Sequence, residues 1–351
     1  RMYAAQNNVK QAVTIGLKML EENPDFLPAR KTLTQIYIAS NRMPEAISQL
    51  EIIAKQEPDP SSALFKSGLL RLQSQDFRGA ERDLSLVVSR NPQEYKAFYY
   101  LATTYVGLGE FQRAIEILNK IPVSDSLFEE SRTFSAYLYK ENGNLELAID
   151  SLNELLVKDD TNKNALSMLV ALYQETKNYD KAIEIVTKQI SLAPTDDRLW
   201  FSLGTLYDLK GEREKSINTL KQTLELNKDN ALALNYLGYT YAEMGIELTT
   251  AKELLERAVK LEANNGYYLD SLGWIYYKKD NFEKAEYYIQ KAVTLIPNDA
   301  VILEHYGKVL KKLGKKSQAK DYLLRALTLA PDSEDKDVES RVRNALNELN
   351  E

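Results

Sequence analysis

The chain has 351 residues, of which 44% are hydrophobic and 27% are charged, as is typical of a folded globular protein. Its formal net charge of −6 provides no global basic field that would attract nucleic acid or anionic lipid. It has no cysteine for disulfides or thiolate metal sites, no apolar run near the ~18 residues of a membrane helix, and no signal-peptide core at its first residues.

A spacing of 34 residues organises the chain, and self-similarity at this period is typical of helical repeat arrays. In the series of alanines that keep this spacing, Ser216 replaces alanine at one position, and after Ser216 the spacing is once 35 residues instead of 34. The residues that keep the spacing are the alanines Ala12, Ala46, Ala80, Ala114, Ala148, Ala182, Ala251, Ala285 and Ala319, the prolines Pro24, Pro58, Pro92, Pro194, Pro297 and Pro331, and the tyrosines Tyr3, Tyr37, Tyr105, Tyr139, Tyr173, Tyr207, Tyr241 and Tyr276.

The first segment, residues 1–26, predicts the remnant of a repeat whose start is missing. Tyr3, Ala12 and Pro24 occupy the late positions of such a unit. We therefore expect the chain to begin inside a helix and to be a fragment of a longer protein, upstream of which a signal peptide or a lipid-anchor cysteine would fit.

Each full period predicts a hairpin of two helices. A small residue such as Gly273 lets two antiparallel helices approach closely, and Tyr276, three residues later, lies on the same helix face. The second helix buries its alanine, here Ala285, and ends before a proline such as Pro297, which cannot continue the hydrogen-bond ladder. Because one hairpin cannot bury its apolar face alone, neighbouring hairpins are expected to stack.

This pattern resembles the tetratricopeptide repeat over nearly the whole chain. The resemblance implies an all-α fold, a right-handed superhelical α-solenoid in which the first helix of each unit lines a concave groove. Single units depart from the pattern, since Arg71 and Leu310 replace the tyrosine and Thr34 and Val170 replace the small residue. The nine predicted units are residues 27–60, 61–94, 95–128, 129–162, 163–196, 197–230, 231–265, 266–299 and 300–333.

The last segment, residues 334–351, predicts a capping helix. An apolar stripe at helical spacing would cover the last exposed face of the repeats, as terminal caps do in solenoids. The acidic sequence DSEDKD before it places negative charge at the helix N-terminus, which the helix dipole favours. The stripe is formed by Val338, Val342, Ala345, Leu346 and Leu349.

The sequence offers no catalytic or cofactor motif. His305 is the one histidine, and no nucleophile or carboxylate motif accompanies it. Phosphate-binding glycine loops are absent, and metal sites built from several histidines or cysteines are excluded by count. We therefore predict a non-enzymatic chain without cofactor or metal. The lysine-rich stretch GKVLKKLGKKSQAK is interpreted as a solvated helix surface, because no aromatic platform for bases accompanies it.

The resemblance implies which positions of each first helix face the groove. It also implies that aromatic side chains at three of these positions, usually polar in the family, are unusual and form a partner-binding surface. Trp274→Ala is accordingly expected to weaken partner capture while leaving thermal stability nearly unchanged. The predicted groove residues are Tyr99, Tyr100, Phe134, Tyr137, Asn235, Tyr236, Tyr239, Tyr267, Asp270, Trp274, Tyr277 and His305.

Asn235 and Asp270 stand beside the second aromatic group, where an asparagine would pair with the backbone of an extended peptide. The carboxylate clamp of chaperone-binding tetratricopeptide proteins is absent, because Gln35 and Lys66 stand where the clamp has asparagine. The predicted partner is therefore a protein or peptide segment other than a chaperone C-terminal tail.

The last three units contain the sequences NYLGYTYAEMG, LDSLGWIYY and HYGKVLKKLG. They resemble a group of bacterial tetratricopeptide proteins that includes secreted proteins, outer-membrane lipoproteins and an adaptor of a carboxy-terminal processing protease. The resemblance implies an adaptor in the bacterial periplasm or at the outer membrane, with the cytoplasm as the other location. Two alternatives stay open: a substrate-selecting region of an enzyme whose catalytic domain lies elsewhere, and a self-associating array that forms homo-oligomers.

Overall fold

In the computed structural model, the described residues are 9–333 and 335–350, and they form α-helices and one 3-10 turn without any β-strand. The chain is an all-α solenoid that divides into two compact units after Thr176. Within the described residues, no helix is both long and apolar enough to span a lipid bilayer.

From residue 9 onward, the first unit consists of ten helices, each packed against the next. They are α1 (Val9–Glu22), α2 (Leu27–Ala39), α3 (Met43–Gln56), α4 (Ser61–Gln73), α5 (Phe77–Arg90), α6 (Tyr95–Gly107), α7 (Phe111–Leu118), α8 (Phe128–Glu141), α9 (Leu145–Lys158) and α10 (Lys163–Glu175).

The described part of the second unit also consists of ten helices packed in sequence. The helices are α11 (Tyr179–Leu192), α12 (Asp197–Leu209), α13 (Arg213–Leu226), α14 (Ala231–Met244), α15 (Leu248–Leu261), α16 (Gly266–Lys278), α17 (Phe282–Leu295), α18 (Ala300–Lys312), α19 (Lys316–Leu329) and α20 (Val338–Asn350), and the 3-10 turn Ala330–Asp332 lies between α19 and α20. Every second helix from α14 to α20 also packs against the next one in that set, and we call α14, α16, α18 and α20 the inner row.

Glycines in the first helices allow the close approach that the spacing predicts. A Cβ atom on Gly273 would lie 2.3 Å from Cγ1 of Ile289 on the paired helix. At Gly307 it would lie 2.6 Å from Cγ of Leu323. Such contacts are far inside van der Waals distance, so these two hairpins are closed by a large side chain of the second helix that rests on a glycine of the first.

Helix α7 has eight residues, whereas the other helices have thirteen or fourteen. It ends at Leu118, four residues before Pro122, which cannot continue a helix. The buried guanidinium of Arg132 on α8 donates hydrogen bonds to the carbonyl oxygens of Leu118 and Ile121, both at 3.3 Å. Those carbonyls have no intrahelical partner, so Arg132 caps the shortened helix from the next repeat.

The C-terminal helix α20 buries four residues of the predicted stripe in the core of the second unit: Val338, Val342, Ala345 and Leu349. Leu346 packs against the same core and is partly buried. At the other end, Ala12 on α1 is buried, whereas Tyr3 of the predicted remnant and Glu334 of the predicted capping segment lie outside the described residues. The repeat boundaries given above remain predictions.

Candidate functional site

In the first unit, the predicted aromatic residues meet on neighbouring first helices. The ring of Tyr99 on α6 lies 5.8 Å from that of Phe134 on α8 and 6.0 Å from that of Tyr100. Tyr100 in turn contacts Phe65 on α4 edge to face at 5.9 Å. Tyr137 is 49% exposed, and the others are partly buried. These edge-to-face and tilted contacts are the preferred geometries of aromatic pairs, so much of this cluster joins one repeat to the next.

In the second unit, Trp274 does not lie exposed as the sequence analysis expects. It is 4% exposed, and its indole ring is stacked between two other rings, Tyr277 at 4.7 Å and His305 at 3.9 Å. Its Nε1–H donates a hydrogen bond to the Glu243 carboxylate on α14. This burial contradicts the predicted exposure of Trp274, and we therefore expect its removal to lower stability. We call Tyr277, Trp274 and His305 the aromatic stack.

Burial of the aromatic stack has two structural causes. Helix α18 brings His305 against one face of the indole, and α20 lies beside α18 in the inner row. Next to the stack is a cavity of about 600 Å³. It is lined by Arg341 and Ala345 of α20, by Trp274 and Tyr277 of the stack, and by Lys308. The ammonium of Lys308 lies 5.6 Å from the indole centre, within the range of a cation–π contact.

Asp270 and His305 are also buried, at 5% and 3% exposure, which corrects their predicted place on an open groove wall. They form a pair, with His305 Nδ1 2.8 Å from Asp270 Oδ2. The other carboxylate oxygen, Asp270 Oδ1, is buried without a hydrogen-bond partner, and so is the side-chain oxygen of Asn235. Unpartnered buried acceptors are rare, because each costs about 1–3 kcal/mol, and they call for an explanation.

Asn235 and Asp270, the two residues that carry these unpartnered acceptors, line one cavity of about 570 Å³, which we call the acidic pocket. Five predicted residues meet there: Asn235, Tyr236, Tyr239, Tyr267 and Asp270. The other lining residues were not predicted, because the sequence singled out unusual aromatic side chains and their polar neighbours. Most of them lie at the start of α18 and in the stretch from the end of α19 to Asp335, and Ser271 lies on α16. The further lining residues are Ser271, Asn298, Asp299, Ala300, Val301, Ile302, Leu329, Asp332, Ser333 and Asp335.

Tyrosines form the aromatic wall of the acidic pocket. Tyr267 is 56% exposed, whereas Tyr236 and Tyr239 are partly buried. The hydroxyl group of Tyr236 donates to Asp208 Oδ2 at 2.8 Å. Burial, and then the Asp208 carboxylate, raise the pKa of Tyr236; burial, and then the Glu243 carboxylate, raise the pKa of Tyr239. Both phenols therefore stay neutral near neutral pH and act as hydrogen-bonding, stacking surfaces.

Next to the acidic pocket, an ion pair fastens α20 to α18. The fully buried carboxylate of Glu304 accepts two hydrogen bonds from Arg341, with Nε 2.9 Å from Oε1 and Nη2 2.8 Å from Oε2. Lys308 Nζ lies 2.5 Å from Oε1, and Arg341 also bonds Asp335 Oδ2 at 2.7 Å. Burial is the largest single influence and works to raise the pKa of both carboxyls. The hydrogen bonds from Arg341, together with Lys308 and neighbouring positive charge at Glu304 and with the Asp337 backbone N–H at Asp335, outweigh it and lower the pKa of each.

This ion pair predicts an acid-dependent loss of stability. A carboxyl with a lowered pKa in the folded state adds stability above its unfolded pKa and loses it as the pH falls through the folded value. We expect Glu304→Gln to lower the unfolding free energy by about 1–3 kcal/mol at pH 7. The gap in melting temperature between wild type and variant should be constant from pH 7 to 5 and shrink below about pH 4.

Melting curves followed by circular dichroism across this pH range provide the measurement. Glu339→Gln is the matched control, because Glu339 is an exposed partner of Arg343 on the same helix. If the difference in melting temperature between wild type and Glu304→Gln stays constant down to pH 3, the lowered pKa of Glu304 is contradicted.

Comparisons with known proteins agree with this architecture. Family models described as tetratricopeptide repeat match residues 3–67 and 71–128, residues 266–299, and residues 164–196, 197–230 and 300–333, together more than half of the chain. Over 91 residues, or 26% of this chain, the sequence is 33% identical to the TPR repeat-containing protein PA4667 of Pseudomonas aeruginosa. The chain spans only 15% of the length of that relative.

Solved structures of other proteins also align with the chain. The structure of Naa15/Naa10 bound to HypK-THB aligns with 99% of this chain and 60% of that chain, at 18% identity and a TM-score of 0.53. A tetratricopeptide repeat protein from Parabacteroides merdae aligns over 64% of this chain and 93% of its own, at 17% identity and a TM-score of 0.49. From the repeat spacing, the stacked hairpins and the family matches, the chain belongs to the tetratricopeptide repeat family.

Proposed function

We propose that this chain is a non-catalytic scaffold that binds an extended or helical segment of a protein partner along the inner row of its second unit. Tetratricopeptide repeats generally serve protein–protein interaction. The observation that carries the proposal is the acidic pocket, which is lined by an exposed tyrosine and by two residues that each carry an unpartnered acceptor oxygen.

The chemistry of these groups suits a peptide. Backbone N–H groups of an extended segment are donors that Asn235 Oδ1 and Asp270 Oδ1 lack within the chain. Satisfying a buried acceptor recovers its desolvation cost, which favours the bound state. Tyr267 offers a large, half-exposed ring at the same cavity, and such rings become binding hot spots when a partner buries them.

A finer role follows from the resemblance of the last three units to bacterial envelope adaptors. In that role, the scaffold would present bound proteins to a carboxy-terminal processing protease. Its test is reconstitution: the chain should accelerate cleavage of a bound substrate by such a protease, and Tyr267→Ser should abolish the acceleration without changing basal cleavage. Equal cleavage with and without the chain would reject the adaptor role and leave the binding role standing.

The binding role predicts a specific loss on replacing Tyr267 with serine. Random dodecapeptides displayed on phage are selected on the wild-type chain, and an enriched sequence is synthesised with a fluorescent label. We expect Tyr267→Ser to raise the Kd of that peptide about 10- to 30-fold, the effect of a hot-spot residue worth about 2 kcal/mol. Fluorescence anisotropy measures the change.

Tyr287→Ser is the matched control. Tyr287 is 52% exposed on α17, close to the 56% of Tyr267, but it lies on a second helix and contacts Lys291 and Tyr288 outside the pocket. The control should bind the peptide as the wild type does. Equal losses in both variants, or no peptide enriched over the bare support, would refute the proposal.

A further inference from the structure

We propose that the acidic pocket holds a basic side chain, arginine or lysine, of the bound segment. This inference rests on the proposed scaffold function and adds to it the chemistry of the ligand at one site. Among the described residues, which leave out Glu334, four aspartates line the pocket, and no lysine or arginine does. The walls therefore favour a cation and oppose an acidic ligand.

The four aspartates differ in what they already bind. Asp299 Oδ1 accepts the backbone N–H groups of Val301 and Ile302 as the N-cap of α18. Asp335 is paired with Arg341. Asp332 is exposed at the end of the 3-10 turn. These three carboxylates contribute negative electrostatic potential to the pocket, and two of them, Asp299 and Asp335, also have structural roles.

Asp270 is the member of the set that points to a ligand. Its side chain is 8% exposed, and its Oδ2 is bound to His305, but its Oδ1 has no partner among the described residues. The contact with His305 uses Oδ2 and leaves Oδ1 available to a further donor. A buried carboxylate oxygen next to a cavity is a costly group to leave without a donor. A cationic donor satisfies it best, since charge-assisted hydrogen bonds are about twice as strong as neutral ones.

The rest of the pocket suits the same ligand. Asn235 Oδ1 is a second acceptor without a partner, so a guanidinium or ammonium group with several N–H donors could engage both oxygens. Tyr236, Tyr239 and Tyr267 supply aromatic faces, which attract cations and accommodate the aliphatic stem of a long basic side chain. The cavity of about 570 Å³ has ample room for one such side chain.

The experiment uses the phage selection at pH 7.5 with the full chain. Enriched dodecapeptides are expected to share arginine or lysine at one fixed position. A synthetic peptide is then compared with a copy in which that residue is citrulline or norleucine, which keeps the length and removes the charge. On the wild type, we expect the neutral copy to bind at least 10-fold more weakly.

Charge removal in the pocket should abolish that preference. With Asp270→Asn, which keeps the shape and can still accept from His305, the penalty for the neutral copy should fall below 3-fold. Asp332→Asn changes an exposed residue and should not affect folding. With this variant, the penalty for the neutral copy should fall at least 2-fold. If Asp270→Asn does not fold, the result for Asp332→Asn decides between the two outcomes. Asp321→Asn is the matched control, because it removes an exposed charge on α19 outside the pocket, and it should keep the full penalty.

The outcomes separate this inference from the scaffold function. Enriched peptides without a fixed basic residue, or a penalty that Asp270→Asn and Asp332→Asn leave unchanged, would overturn the basic-side-chain site while leaving peptide binding intact. Failure to enrich any peptide would overturn both.

Discussion

Replacing Trp274 with alanine is expected to lower the unfolding free energy of the second unit by about 3–5 kcal/mol, the usual cost of removing a buried aromatic side chain. The indole is 4% exposed and is held on both faces, by Tyr277 and by His305. Its removal would leave a cavity within the aromatic stack and take away the hydrogen-bond donor of Glu243.

Thermal unfolding followed by circular dichroism measures the effect. Since 1 kcal/mol shifts the melting temperature by about 2–4 °C in a unit of this size, the transition of the second unit should fall by about 6–20 °C. Melting temperatures are the fair comparison, because repeat arrays need not unfold in two states.

Trp200→Ala provides the control for losing a tryptophan. Trp200 is partly buried on α12 and donates its Nε1–H to the Pro194 carbonyl oxygen at 2.9 Å. Its removal should cost less than half as much as that of Trp274. Equal melting temperatures for Trp274→Ala and wild type would restore the sequence-based view of an exposed groove residue.

The sequence predicts the helices well, because the signals that define them are local. Within α16, Gly273 and Tyr276 recur at 34-residue spacing, and both are buried where the hairpin pattern puts them. A short-range pattern of this kind reports which face of a helix is apolar. The shortened helix α7 also had a local signal, Pro122, although the uniform repeat spacing concealed it.

The sequence does not reveal which groove positions stay open. Asp270 and His305 lie 35 residues apart on different helices, and Trp274 is covered from α18, with α20 alongside. Their burial is a tertiary property of the last repeats, where α20 extends the inner row. The pattern shared by all repeats does not reveal this burial. At most positions of the array, the neighbouring first helix belongs to an ordinary repeat rather than to a C-terminal helix such as α20. Tyr267, one turn closer to the start of α16, escapes this cover and is exposed.

Helix α20 leads to the second large expected effect. Ending the chain at Asp337 removes Val338, Val342 and Leu349 from the core, each worth about 1.5–3 kcal/mol when fully buried. We expect the melting temperature of the second unit to fall by more than about 10 °C. The exposed apolar face should also bind the dye ANS, which the wild type should not.

A pair of point variants isolates the packing from the loss of a whole helix. Val342→Ser places a hydroxyl in the core, whereas Arg343→Ser changes the next residue, whose side chain is 60% exposed. Val342→Ser should lower the unfolding free energy by about 2 kcal/mol, and Arg343→Ser by less than about 0.5 kcal/mol.

The truncation also distinguishes two roles for α20. If α20 is part of the core, its loss lowers stability and loosens the aromatic stack and the acidic pocket, since Glu304 keeps only Lys308 after Arg341 is gone. Peptide affinity should then fall together with the melting temperature. If α20 instead merely occupies a binding surface, the truncated chain would melt as the wild type does and bind the same peptide more tightly. The buried stripe and the fully buried Glu304 carboxylate favour the first outcome.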